Sequence, residues 1–374
     1  MRIYLDNNAT TPIHPAVLEA LQGALRDVYG NASSIHKEGQ TARRGIENAR
    51  EAVARLIGAT PREIVFTSGG TESNNAAIFG AVPQSGRHHI VTTAIEHPSV
   101  LEPVEELKRR GNEVTVVSPA RDGRISADAV LAAVRPDTRL VAVMLANNET
   151  GVIQPVAEIA AGCRQRGIHV HCDAVQAAGK IEVDVNGLGV DTLSLSAHKL
   201  HAPKGIGALF ARHGLSLDRF MLGGSQERRR RAGTENVPLA IAFGVAAEKA
   251  ADGAFHGPLA ILRDSLERRL LDAGIGAAVN GAGVPRLPNT SNVTFRGADA
   301  EGIVIGLDLQ GIAVSTGSAC SSGRVEPSRV LLAMGLTADE ARSTVRISLS
   351  RFTTAEEIER AAEEILKVVP KTIR

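Results

Sequence analysis

The sequence predicts an α/β protein with a large unit on a mostly parallel central sheet and a smaller α+β unit beside it. Three observations carry this. Between residues 15 and 250, short apolar runs of strand character alternate with amphipathic helical stretches, the pattern of a parallel sheet covered on both faces. That alternation breaks at "GAFHGP", residues 253–258. At 374 residues the chain also exceeds the size at which one hydrophobic core usually stops growing. The expected division is 15–256 for the large unit, with 1–14 and 257–374 forming the small one.

In chain order, the strands of the large unit are "EIVFTS", "HHIVTT", "EVTVVS", "RLVAVML", "IHVHCDA", "DTLSLS" and "GIGALFA", with helical stretches such as "PVAEIAAGCRQRG" between several of them. Past the break, "LAILRDSLERRLLDAG" reads as a helix. The strands "SNVTF", "GIAVS" and "TVRISLS" follow, separated by helical patterns at 299–309, 326–334 and 354–369. There is no internal repeat and no low-complexity tract.

Composition narrows the class of function. Forty-two basic against 41 acidic residues leave a net charge of +1, so no strong field for nucleic acid or a membrane surface is expected. The partner is expected to be small. The amino terminus "MRIYLDNNATTP" has no apolar signal core, and no run of about 18 apolar residues occurs, from which a cytoplasmic protein is expected. The 3 cysteines, Cys163, Cys172 and Cys320, are far apart and lack a C-x-x-C pairing, which argues against a disulfide framework or structural zinc. Cys163, inside a helical pattern, reads as packing.

In sheets of this kind ligands gather at the carboxyl ends of strands. "EIVFTSGGTESNN" ends a strand in Ser-Gly-Gly-Thr and opens a helix near Thr71. Gly69 and Gly70 let the backbone approach an anion, and free N–H groups at the helix start favour a phosphate. An ordinary capped turn would look similar. Neither nucleotide fingerprint, G-x-G-x-x-G or G-x-x-x-x-G-K-[ST], appears in its proper context, so a phosphate here would belong to another ligand.

"IHVHCDAVQAAGK" places Asp173 at a strand end with Gln176 three positions on. A carboxylate there can hold a protonated ring nitrogen and an amide can bond a phenolic oxygen; a helix cap is the plainer reading. "HVHC" invites a metal, yet His169 and His171 share one strand face while Cys172 points to the other.

"SLSAHKLHAPKGIGALF", residues 194–210, sets Lys199 between two histidines at the end of an alternating run. "SAHK" has the S-x-x-K spacing of penicillin-recognising enzymes, but no S-D-N or K-T-G accompanies it. A partly buried lysine with Ser196 and His198 beside it suits a Schiff base better. Together with a phosphate turn and Asp173, these sites describe pyridoxal phosphate.

Four further places carry chemistry. "AIEHPSV" puts His97 at a strand end before Pro98, where an imidazole could stack on a flat cofactor and move protons, or simply cap a helix. "TVRISLS" carries Arg346, whose planar fork suits a substrate carboxylate, although a surface arginine on an edge strand is the default. "VSTGSACSSGRVEPSR" carries Cys320 among small residues unsuited to a core, with Arg324 near enough to favour a thiolate. The basic run "ERRRRAGTEN", residues 227–236, reads as a solvated face unless a ligand explains it.

The stretches "YLDNNATTP", "GNASSIH", "FTSGGTESNN", "EHPSV", "NNETGV", "DAVQAAGK", "SAHKLHAPKGIGAL", "RRAGTENV", "STGSACSSG", "EPSRVL" and "VRISLSRFTT" resemble, in order and over nearly the whole chain, cysteine desulfurases of the NifS/IscS type. These are class V enzymes of the pyridoxal-phosphate-dependent transferase fold, fold type I. The resemblance implies that Lys199 binds the cofactor, Asp173 its pyridine nitrogen and Gln176 its phenolic oxygen, with His97 stacked on the ring. It implies Gly70, Thr71, Ser196 and His198 around the phosphate, joined by Thr234 from a second subunit of a homodimer. Asn148 would touch cofactor and substrate, Arg346 would hold L-cysteine, and Cys320 would take its sulfur as a persulfide. Cys320 would then be a transient ligand to a nascent iron–sulfur cluster on a scaffold protein or would pass sulfur to another acceptor.

Two departures stand out. The family's "GGGQERGRRAGTEN" is here "GGSQERRRRAGTEN", with Ser225 and Arg229 where glycines are common, which puts the local loop geometry in question. The chain ends at Arg374, short of the tail that IscS-type members use to meet their scaffold, so the NifS-like label is closer. Competing readings are another pyridoxal reaction, such as selenocysteine lyase or an aminotransferase, in which Cys320 would matter little, and a non-catalytic partner that delivers iron.

Overall fold

The computed structural model describes residues 2–253, 256–316 and 326–373. Strand β1 (Ile3–Tyr4) and helices α1 (Pro15–Asp27) and α2 (Lys37–Leu56) come first. The sheet region follows as β2 (Ile64–Thr67), α3 (Gly70–Ala81), β3 (His89–Thr93), α4 (Pro98–Arg109), β4 (Glu113–Val117), α5 (Ala127–Ala133) and β5 (Thr138–Met144). It continues as α6 (Val156–Arg164), β6 (His169–Asp173), α7 (Val185–Leu188), β7 (Thr192–Ser196), β8 (Gly207–Ala211) and α8 (Val237–Ala251). The remainder is α9 (His256–Asp272), β9 (Ala277–Val279), β10 (Thr290–Phe295), α10 (Ala300–Leu309), β11 (Ile312–Ala313), α11 (Arg329–Ala333), α12 (Ala338–Arg342), β12 (Thr344–Ser348) and α13 (Ala355–Val368).

All seven strands expected in the first part form one sheet, ordered β2-β8-β7-β6-β5-β3-β4. Its pairings are parallel except those of β8, which runs antiparallel to both β2 and β7. The reason is the connection. A parallel return needs a crossover of about a dozen residues or more, usually a helix, whereas β7 and β8 are joined by residues 197–206 as a hairpin. Lys199 sits in that hairpin, on the short helical turn Ala197–Lys199.

The second part holds an antiparallel sheet ordered β12-β10-β9 and a parallel pair β1-β11. Ile3 and Leu5 of the amino-terminal segment share a buried cluster with Leu266, Val293, Phe295, Ile303, Ile347 and Ile358, distinct from the core around the large sheet. Val330, Leu331, Met334 and Leu336 of the later segment pack instead into the first core. Strand β9 and helix α12 were not anticipated; at 3 and 5 residues they are too short to show a period. Cys163 is buried in the first core, where burial pushes its thiol up to about 11. No helix among the described residues is long and apolar enough to cross a membrane.

Candidate active site

The carboxyl ends of β5, β6 and β7 open on a cavity of about 1020 Å³ that Asp6, Asn8, Arg329 and Arg346 also line. Gly70, Thr71, His97, Asn148, Asp173, Gln176, Ser196, His198, Lys199 and Arg346 all line it. Thr234 does not; it is exposed on the loop before α8. Cys320 lies outside the described residues, though Ser315 and Glu326 on either side of its segment both line the cavity.

One wall is the start of α3. The turn before it is tight because a Cβ on Gly207 of β8 would come within 2.7 Å of the Gly69 Cα, and one on Gly70 within 2.7 Å of a Val175 methyl. Among the described residues no side chain caps α3, so its first N–H groups are left for an anion. The one carboxylate in its first turn, Glu72, is taken by Arg231 at 2.9 Å and by the Ser68 N–H at 2.8 Å. Arg231 belongs to the basic run, which is therefore not simply a solvated face: Glu227 within it is buried and paired in both oxygens with Arg50, at 2.7 and 2.8 Å.

The same run explains one of the two departures. Glu227, Arg228 and Arg229 have φ of 44°, 55° and 64°, the left-handed region that glycine enters without steric cost. A glycine is thus the relaxed choice at 229. Ser225 has no positive φ, and its side chain costs the backbone nothing.

Lys199 reaches from the hairpin across the cavity floor. Its Nζ donates to the carbonyl oxygens of Asn8 (2.5 Å) and Ala9 (2.7 Å). Burial, and then the charge of Arg346, lower its amine to about 8 against the pull of Asp6 and Asp173. Beside it, His198 faces Thr10 Oγ1 at 3.1 Å and is lowered to about 4 by burial and by Lys199, Lys204 and Lys180, so it is a neutral ring near pH 7.

Asp173 ends β6, accepting from Asn74 Nδ2 at 2.8 Å and from the Val175 N–H at 3.0 Å. Gln176 donates from Nε2 to Asn8 O (2.9 Å) and accepts at Oε1 from Lys180 Nζ (2.7 Å). Lys180 is itself buried, which holds its amine well below the ordinary lysine value, and it also donates to Asn8 Oδ1 at 3.0 Å. His97 caps α4, its Nδ1 accepting the Ser99 N–H at 3.1 Å. That bond leaves the ring proton of the neutral form on Nε2. Burial lowers the His97 pKa, with Asp173 opposing.

Arg346 is no surface arginine. Although β12 is the first strand of its sheet, the Arg346 side chain is 5% exposed and its backbone is paired with Ser315. It donates to Asp6 Oδ1 (2.7 Å) and to the Asn148 carbonyl (3.2 Å), and its Nε has no partner among the described residues. The metal reading of "HVHC" gives way to hydrogen bonding: His169 Nε2 and His171 Nδ1 both bond Thr192 Oγ1, at 2.9 and 3.0 Å.

Sequence reasoning missed Asn8, Asn74, Lys180 and Glu96, all of them buried and at or just behind the cavity wall. All four fall inside stretches that carry the family resemblance, "YLDNNATTP", "FTSGGTESNN", "EHPSV" and "DAVQAAGK", but nothing in their local pattern gives any of them a role.

Residues 3–361 match the family described as Aminotransferase class-V. The cysteine desulfurase of Trichormus azollae is 46% identical over 375 residues, covering 99% of this chain and 93% of its own. The cysteine desulfurase IscS of Dictyoglomus turgidum is 43% identical over 379 residues, with 99% and 95% covered. A solved NifS-like protein superposes with a TM-score of 0.92 at 36% identity, covering 99% of this chain and 100% of its own. The architecture is that of fold type I, as the sequence predicts. Fold, cavity and likeness over the full length agree, and the chain belongs to the aminotransferase class-V family.

Proposed function

We propose that the protein is a pyridoxal-phosphate-dependent cysteine desulfurase, converting L-cysteine to L-alanine and passing the sulfur to Cys320. The observation that carries this reading is the Lys199 amine, lowered to about 8 at the floor of a cavity with Asp173 on one side and the uncapped start of α3 on another. The residues fit the cofactor. Lys199 would bind it covalently, Asp173 would face its ring nitrogen and Gln176 its phenolic oxygen. Gly70, Thr71, Ser196 and His198 would surround its phosphate, completed by Thr234 from the other subunit of a homodimer. His97 would stack on the ring, and Asn148 would touch cofactor and substrate.

When bound, the cofactor supplies a sink for the electrons left at the substrate Cα. The rest is the work of the chain. Arg346, whose Nε has no partner among the described residues, holds the substrate carboxylate. Lys199, neutral above about pH 8, removes the Cα proton. His97 offers its Nε2 proton toward the substrate sulfur. The Cys320 thiolate attacks that sulfur, the carbon–sulfur bond breaks with its electron pair left on Cβ, and two protons complete alanine: one, equivalent to that given up by the Cys320 thiol, adds to Cβ, and Lys199 returns its own to Cα. The persulfide on Cys320 then serves a sulfur acceptor in the cytoplasm, an iron–sulfur scaffold being the best candidate in view of the IscS name of one relative.

The test is to incubate the protein with L-cysteine without reductant and weigh the peptide containing Cys320. An added sulfur that vanishes in Lys199→Ala supports the reading. No added sulfur, in protein that contains the cofactor, sinks it in favour of another reaction of the family such as selenocysteine lyase.

A further inference from the structure

Behind the cavity wall the buried polar groups form one continuous row. Asn74, in the first half of α3, is fully buried. Its Nδ2 lies 2.8 Å from Asp173 Oδ2 and 2.8 Å from Ser99 Oγ, and its Oδ1 lies 2.9 Å from His171 Nε2. A carboxylate offers only acceptors, so the amide presents its NH2 to Asp173, and its two hydrogens are spent on Asp173 and Ser99.

The rest of the row then has no choice. His171 donates from Nε2 to the Asn74 carbonyl, so its Nδ1 accepts the single hydroxyl hydrogen of Thr192, and His169 donates to the Thr192 oxygen. At the other end, Ser99 Oγ accepts from Asn74, which turns its own hydrogen to His97 Nδ1, 2.7 Å away. That nitrogen therefore receives two donors, the Ser99 hydroxyl and the Ser99 backbone N–H. Protonating it would set a third hydrogen against both.

We propose that Asn74 is a positioning residue: through Ser99 it holds His97 as the neutral imidazole protonated on Nε2, and with the same amide it orients the Asp173 carboxylate. This rests on the reading of the cavity as the desulfurase site. Among the described residues the charges that face His97 are Asp173 at the end of β6, Lys199 after β7 and Arg329 of α11; Glu96 and Glu102 line the same cavity. These charges act on the ring as a whole, whereas the hydrogen-bonded row selects one nitrogen.

The holoenzyme labelled with 15N-histidine, with His97 signals assigned by their loss in His97→Gln, reports tautomer and titration directly. In the wild type, Nδ1 is expected to be bare and Nε2 protonated. Asn74→Ala and Ser99→Ala should each raise the His97 midpoint by about one unit, a tenfold change in the charged fraction, and admit the other tautomer. The double variant should go no further than either single one, since both cut the same link. An unchanged midpoint in Ser99→Ala, or additive shifts, overturns the proposal. Ser99→Ala removes a single oxygen and decides the matter alone should Asn74→Ala not fold. The wild-type spectrum stands apart from sulfur transfer, so a bare Nδ1 in a protein that places no sulfur on Cys320 would sink the functional reading and leave the row intact.

Discussion

The Lys199 amine and the Asn8 carbonyl oxygen lie 2.5 Å apart, joining the hairpin after β7 to the amino-terminal segment. The same carbonyl accepts from Gln176 at 2.9 Å, and the Asn8 side chain accepts from Lys180 at 3.0 Å. One asparagine thus fixes the reactive amine and two groups beside it.

The reactivity of Lys199 follows from that setting. Its amine is lowered from 10.5 to about 8, first by burial and then by Arg346. In cofactor-free protein, the rate at which a small aldehyde is trapped by borohydride on the peptide containing Lys199 should rise with pH to a plateau with a midpoint near 8. A midpoint near that of ordinary lysine would mean that the amine is solvated.

Lys180 decides which way the Gln176 amide faces. With Oε1 held by the Lys180 amine at 2.7 Å, Nε2 is the end turned to Asn8. Lys180→Met should lower kcat by about tenfold, or about 1.4 kcal/mol, because the amide can then turn. Adding Gln176→Ala to that variant should cost little more. Equal losses from each change, summing in the double variant, would show that the two residues act separately.

The sequence was most readable where period and chemistry coincide. All seven strands of the large sheet are seen in the 2-residue alternation or apolar run of their side chains, and the lining residues at their ends follow from the rule that ligands gather there. What it hid is contact across sequence distance. Asn8 meets Lys180 over 172 residues and Asp6 meets Arg346 over 340, and no local pattern encodes either. The antiparallel course of β8 was hidden for a different reason: alternation reports a strand but not its direction.

Glu96 makes stability depend on pH. Burial raises its carboxyl from 4.5 to about 8, with Thr93 and the Met144 N–H opposing, and its Oε2 has no partner among the described residues. Between these values the unfolded chain ionises while the folded one keeps its proton. The contribution of Glu96 is therefore full below about pH 4.5 and lost as pH rises through about 8, at about 1.4 kcal/mol per unit. Glu96→Gln cannot ionise, so its stability in urea relative to the wild type should improve steadily across that window. A constant difference would show that Glu96 is already ionised in the folded protein.

The left-handed turn at 227–229 separates the two departures from the family's glycines. Glu227 holds the turn from inside, bonded to both terminal nitrogens of Arg50 and to the Phe66 N–H at 2.9 Å, so residue 229 is kept at φ 64° whatever occupies it. There an arginine costs roughly 1–2 kcal/mol in backbone sterics, against which a glycine loses about 0.5–1 kcal/mol through the freedom of the unfolded chain. Arg229→Gly should therefore stabilise the protein by up to about 1.5 kcal/mol, a rise of about one or two degrees in Tm. At Ser225, with no positive φ, only the unfolded-chain term applies, and Ser225→Gly should lower Tm. Opposite signs from two serial glycine substitutions in one loop would trace the difference to the backbone at 229; a fall in both would show that Arg229 relieves its strain through its side chain.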